Sequence, residues 1–353
     1  MVKAEDIHPP RTCCHAAGCI AAAAILYTII ACYILFLPLL SGLQLTEFVV
    51  GINFFVGAIG CLLLSRRWIA AVPGSIWAGA IYGFSPFALG LAAYHPLAGV
   101  PMAMIPWLFC PAAFWRTWAP SLSKRLARYG RNGPPAMTIL LSAIPFAAVF
   151  AYFWLLSTPV LGPIFPLPKA VRYDVAAVAG FAWPLTTKPH EVVFSFYHVP
   201  LAAFAMGLCM CFASRRVGAL LIGGLGFALA VAPPLAHVAP AVWIMVPILV
   251  GSIIIGLGLE GLAWAGPGDS KWLLFCAAVA AVLTAGSVYL TLANGAAYGR
   301  AALLYTAGFL SVASIYALTT ARLRWPLLGW TLLSIAVAVD LLSSGKHIAD
   351  IVL

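Results

Sequence analysis

The chain has 353 residues, of which 64% are hydrophobic and 8% charged, and it carries a formal net charge of +10. A water-soluble domain of this size cannot keep so many apolar side chains off its surface, whereas helices that cross hydrocarbon need runs of about 20 apolar residues, so soluble enzymes and soluble binding modules are excluded. The cations are scattered through short connections and not gathered on one face, which points to membrane topology and anionic lipid and argues against a nucleic-acid partner.

Taken in chain order, the apolar runs between charged or Pro/Gly-rich breaks predict eleven spans, near residues 19–40, 47–64, 70–93, 97–115, 136–156, 193–213, 217–235, 241–262, 272–293, 301–320 and 325–343. The expected fold class is all-α: a polytopic transmembrane helical bundle, one integral membrane domain over residues 1–353. The basic start of the chain resembles a signal peptide, but its apolar run is of span length and no small-x-small cleavage site follows, so it reads as the first span. Lys and Arg are retained on the cytoplasmic side during insertion. With the N-terminus inside, alternation puts 14 of the 19 cations in the cytoplasm, including Arg66, Arg67, Arg215 and Arg216, and leaves the C-terminus outside.

The basic cytoplasmic loop 116–135 contains SLSKRLARYGRNG, which reads as a topology anchor or as a short helix lying on the inner leaflet. The nine cysteines are an odd number and lie mostly inside spans, so they do not form a disulfide framework. Cys13, Cys14, His15 and Cys19 are metal-binding residue types in a spacing that matches no standard zinc pattern. No cofactor is expected, and a divalent metal has no supporting motif.

Ionisable residues inside spans are expensive and mark function or a buried pairing. Asp340 lies about 15 residues into the last span, which at about 1.5 Å per residue puts it toward the outer end, where it caps or pairs with a neighbour. Glu260 falls at the inner end of the eighth span, within reach of cytoplasmic water. On the outer side, His95, His198 and His237 share a context, each beside an apolar run and close to a proline: YHPLAG, FYHVPL and LAHVAP. Two readings are open: the histidines converge on a ligand in one outer cavity, or each bonds a loop carbonyl at a helix end.

The long outer connection, 157–192, combines several prolines with Lys169, Arg172 and Lys188 and with Phe165, Tyr173, Phe181 and Trp183. Loops of that length without evident structure tend to be functional, and this one fits a lid on the outer leaflet whose cations hold a lipid phosphate. The alternative is a solvated loop whose cations bind nothing in particular.

Four stretches together resemble the GT-C superfamily of membrane glycosyltransferases, in particular its YfhO-like bacterial branch: AIYGFSPFALGLAAYHPLAGVPMAMIPWLF, VVFSFYHVPLAAFAMGL, GSIIIGLGLEGLAW and LLSIAVAVDLLSSG. The resemblance implies a bacterial inner-membrane enzyme that takes a sugar from a polyprenyl-phosphate carrier and passes it to an acceptor at the outer face. It also implies an acidic residue in the first outer loop as general base or metal ligand. That loop is short here, Glu47 is its single carboxylate, and the chain has no Asp-x-Asp or Glu-x-Asp pair. The catalytic candidates are therefore Glu47 or Asp174, with Lys169, Arg172 and Lys188 on the phosphate and His95, His198 or His237 lining the site. The competing expectation is a non-catalytic membrane subunit or scaffold that packs against partner proteins or binds lipid.

Overall fold

Where water is scarce, a chain must satisfy its own backbone hydrogen bonds, and runs of Ala, Leu, Ile, Val and Phe do so as helices. The computed structural model describes residues 13–40, 45–94, 96–118, 136–158, 182–183, 194–214, 217–236, 238–294, 298–321 and 325–352. Among them are twelve α-helices: α1 (Cys13–Leu40), α2 (Leu45–Ser65), α3 (Val72–Gly83), α4 (Pro86–Tyr94), α5 (Gly99–Trp118), α6 (Ala136–Leu156), α7 (Pro200–Ala213), α8 (Val217–Val231), α9 (Met245–Ala263), α10 (Ser270–Asn294), α11 (Gly299–Thr320) and α12 (Pro326–Val352). The described residues contain no β-strand. Six of their helical stretches are long and apolar enough to cross a membrane, in α1, α6, α9 with the turn before it, α10, α11 and α12. Shorter apolar stretches lie in α2, α5, α7 and α8. This is the make-up of a multi-pass integral membrane protein.

Helix α9 is the axis of the bundle. In its apolar stretch 89% of the residues are buried, against 28% in α10, so α9 is wrapped by protein while α10 presents most of its surface outward. Glycine makes this burial possible at two contacts. A Cβ on Gly258 would collide with the carbonyl oxygen of Ala203 on α7, and one on Gly256 would come within 2.6 Å of the Gly74 carbonyl oxygen on α3. Both neighbouring backbones therefore lie directly against α9, the small-residue packing by which helices associate without a hydrophobic driving force.

Three elements depart from the predicted spans. The run 70–93 is two helices, α3 and α4, separated at Phe84 and Ser85. Proline at 86 has no N–H and suits the first position of a new helix, and Ser85 accepts the Ala88 N–H at 3.1 Å as its N-cap. The span expected at 193–213 becomes helical only at Pro200, and residues 194–197 before it have no regular structure. The last helix runs to Val352, well past 343, so Asp340 is the fifteenth of its 27 residues and sits midway along it.

Prolines inside helices leave carbonyls without their usual partners, and tyrosines take those places. Pro106 supplies no N–H to the Met102 carbonyl, which accepts the Tyr82 hydroxyl instead. Pro101 likewise leaves the Leu97 carbonyl to the Tyr152 hydroxyl, at 2.9 Å. Both bonds tie α5, or the turn before it, to a different helix.

Replacing Gly258 with leucine forces α7 away from α9, and overpacking of this kind costs about 1–3 kcal/mol. Gly224, with nothing within 4 Å of a Cβ, is the control. Gly258→Leu is expected to lower the melting temperature in detergent, and Gly224→Leu to leave it unchanged.

Candidate functional site

The irregular stretch before α7 is buried inside the bundle. Ser195, Phe196, Tyr197 and His198 are each 0–1% exposed. Buried backbone outside a helix must find partners for its own polar groups. Tyr197 adopts a positive φ of 67°, a conformation uncommon for a bulky residue. Its hydroxyl donates to the Phe84 carbonyl at the α3–α4 break, so the two irregular places in the bundle hold each other.

The following amides belong to Asp340. Its Oδ2 accepts the His198 N–H at 2.7 Å and the Val199 N–H at 2.6 Å. Its Oδ1 accepts the Ser344 hydroxyl at 2.9 Å and lies 3.0 Å from the His198 ring Nδ1. Ser344 is one helical turn beyond Asp340, so both project from the same face of α12. With an Asp oxygen as acceptor, Nδ1 is the ring nitrogen that donates in this contact. Nε2 is buried and has no hydrogen-bond partner among the described residues.

Tyr305 of α11 packs against the imidazole edge to face, with ring centroids 5.0 Å apart. Its hydroxyl donates to the carbonyl of Ala182, and the neighbouring Trp183 donates its indole N–H to Ser287 at 2.9 Å. Two residues of the long 157–192 connection are thereby fastened beside the histidine. The arrangement is a carboxylate-oriented imidazole with one basic nitrogen available, the pairing that serves general-base catalysis and, with a metal present, ligation. Among the described residues no group of three His, Cys, Asp or Glu side chains gathers to hold a metal ion.

Of the candidate catalytic and substrate-binding residues named from sequence, His198 is the one this site contains. Glu47 lies in the first turn of α2, with its side chain outside the described residues, and His95, Lys169, Arg172, Asp174, Lys188 and His237 also lie outside them. The cluster's other members, Asp340, Ser344, Tyr197 and Tyr305, were not among the candidate site residues. One signal did point to them, a carboxylate in the middle of the apolar run IAVAVDLLSS. Asp340 does pair with a neighbour as expected, but fully buried and midway along its helix, not at the helix's outer end.

The other carboxylate inside an apolar run, Glu260, has a parallel role. It lies in the last turn of α9 and accepts the Ala70 and Ala71 N–H groups at 3.0 and 3.2 Å, just before α3 begins. Arg66 donates to the Ile69 and Ala70 carbonyls in the same turn, at 3.1 and 2.8 Å. Unlike Asp340, this carboxylate is half-buried.

No family model, curated protein or solved structure matches the chain.

Removing Asp340 leaves two buried amides and a ring N–H without an acceptor, so Asp340→Ala is expected to cost about 3–5 kcal/mol. Glu260→Ala removes a cap close to water and costs about 1 kcal/mol. Thermal unfolding of the two variants in detergent checks the order, and equal losses would mean that Asp340 is not the anchor of this stretch.

Proposed function

We propose that the chain is a GT-C-like transferase of a bacterial inner membrane, acting at its outer face on a sugar carried by a polyprenyl phosphate, with His198 as the general base. The observation that carries this reading is the buried imidazole whose Nδ1 faces Asp340 and whose Nε2 has no hydrogen-bond partner among the described residues. In the proposed reaction the acceptor hydroxyl attacks the sugar's anomeric carbon. The bond from that carbon to the phosphate oxygen breaks, polyprenyl phosphate leaves, and the hydroxyl proton passes to Nε2. Asp340 acts through the histidine, fixing its tautomer and balancing the charge that forms on the ring. Lys169, Arg172 and Lys188 hold the carrier phosphate, His95 and His237 line the acceptor side, and Glu47 and Asp174 remain the other candidates for the base.

The topology proposed with this reading has eleven crossings, α3 and α4 forming one broken crossing, with the N-terminus cytoplasmic and the C-terminus outside. It puts the start of α7 and the long connection on the outer side, where lipid-linked sugars are consumed.

One observation favours the alternative of a non-catalytic membrane subunit. Two of the donors to Asp340 are backbone amides that hold the start of α7, a role that needs no chemistry. The two readings part on one substitution. In membranes supplied with polyprenyl-phosphate sugars, His198→Gln is expected to lower transfer by about 10²–10⁴-fold while the protein stays inserted and monodisperse. Glu47→Gln and Asp174→Asn, made in parallel, are expected to retain transfer. Unchanged transfer in His198→Gln removes it as the base, and a stable set of co-purifying proteins without any bound polyprenyl lipid supports the subunit reading.

A further inference from the structure

The imidazole that Asp340 orients is closed off. His198 is 1% exposed and its Nε2 is buried, so a reactant reaches that nitrogen only after some neighbour moves. Asp340 and Ser344 lie inside the long helix α12, and the start of α7 hangs on Asp340 through the His198 and Val199 amides. Helix α11 presses on the same place, since a Cβ on Gly308 would come within 3.4 Å of the Val199 Cα. Moving any of these elements takes the bundle apart.

Ala182 and Trp183, from the connection between α6 and α7, are held differently. Tyr305 links them to the histidine: its ring packs edge to face on the imidazole, with centroids 5.0 Å apart, and its hydroxyl donates to the Ala182 carbonyl. Next in the chain, Trp183 is half-buried and makes contacts on both α10 and the residue before α11. Its indole N–H donates to the fully buried Ser287 at 2.9 Å, and its ring meets that of Tyr298 edge to face, with centroids 6.4 Å apart. Neutral hydrogen bonds and an aromatic contact are each weak enough to break and re-form, whereas a buried carboxylate that carries two amides is not. Trp183 also keeps part of its surface exposed, while the histidine keeps almost none.

We infer that Ala182 and Trp183 form a latch on the His198 site. Closed, the latch holds the Tyr305 ring on the imidazole and keeps solvent from Nε2. Released, it lets a reactant in. Closure of this kind excludes water from a reactive centre and commits the bound reactant. For a transferase, the gain is that water does not take the place of the acceptor hydroxyl. That consequence rests on the reading of His198 as the general base, and the latch itself does not.

Diethyl pyrocarbonate tests the latch without a transfer assay, because it carbethoxylates an unprotonated imidazole nitrogen that it can reach. The full-length protein in detergent is treated near neutral pH, and modification of His198 is followed by mass spectrometry of its peptide. Maleimide labelling of Cys61, which is 0% exposed, checks that the bundle stays packed. The unaltered protein is expected to be modified slowly at His198. Trp183→Ala removes the indole hydrogen bond and the aromatic contact and is expected to raise the rate about tenfold. Tyr305→Phe keeps the ring on the imidazole but frees Ala182, and is expected to raise the rate by a smaller factor. Cys61 stays unlabelled in both. Fast modification of the unaltered protein overturns the latch, and so does an unchanged rate in both variants. A faster rate accompanied by labelling of Cys61 marks loosening of the whole bundle and overturns it too. If His198→Gln retains transfer while Trp183→Ala still exposes the imidazole, the base reading fails and the latch stands.

Discussion

Six residues of non-helical backbone, 194–199, enter the buried interior of a helical membrane protein, and the rest of the arrangement depends on how their polar groups are satisfied. In hydrocarbon an amide without an acceptor costs several kcal/mol, so the stretch exists only because α12 brings a carboxylate to it. Asp340 takes the amides of His198 and Val199, and the hydroxyl of Ser344 steadies its other oxygen. Tyr197 completes the contact by filling the carbonyl that the interruption between α3 and α4 leaves free. Irregular backbone at depth is tolerated in membrane proteins where protein buries it or where it lines a site, and the same geometry that resolves the amides also orients an imidazole.

The two carboxylates inside apolar runs solve one problem in two settings. Each comes from a long helix and receives two consecutive amides just before a shorter helix with proline in its first turn. Glu260 does so half-buried in the last turn of its helix. Asp340 does so at 0% exposure and with a histidine ring added. Burial and the added ring mark Asp340 as a candidate site, because a buried ring nitrogen without a partner among the described residues is a cost that capping does not require.

The all-helical, multi-pass character was legible because hydrocarbon demands a length and a composition that the sequence displays directly. Ser85 and Pro86 carry a helix-start signature, serine before proline, that the reading of 70–93 as one span passed over. The pairing of His198 with Asp340 was not legible. The two are 142 residues apart, and nothing in FYHVPL or in IAVAVDLLSS specifies the other. Periodicity failed over 193–199 because a fully apolar run has the same composition as a helix or as buried extended chain, and only the acceptor on α12 decides between them. The end of α12 was misplaced for the reverse reason. Ser343, Ser344, Gly345 and Lys346 look like a helix terminus, but Ser344 turns inward onto Asp340, and the helix continues.

The central claim is that Asp340 fixes His198 in the Nδ1–H tautomer and leaves Nε2 as a buried base. Nitrogen NMR of the protein in lipid bilayers, with histidine labelled at both ring nitrogens and His198 assigned by comparison with His198→Gln, reads this directly. The account predicts a protonated Nδ1 and an unprotonated Nε2 at neutral pH, with the pattern lost in Asp340→Asn. A proton on Nε2 of His198 with none on Nδ1 would contradict it.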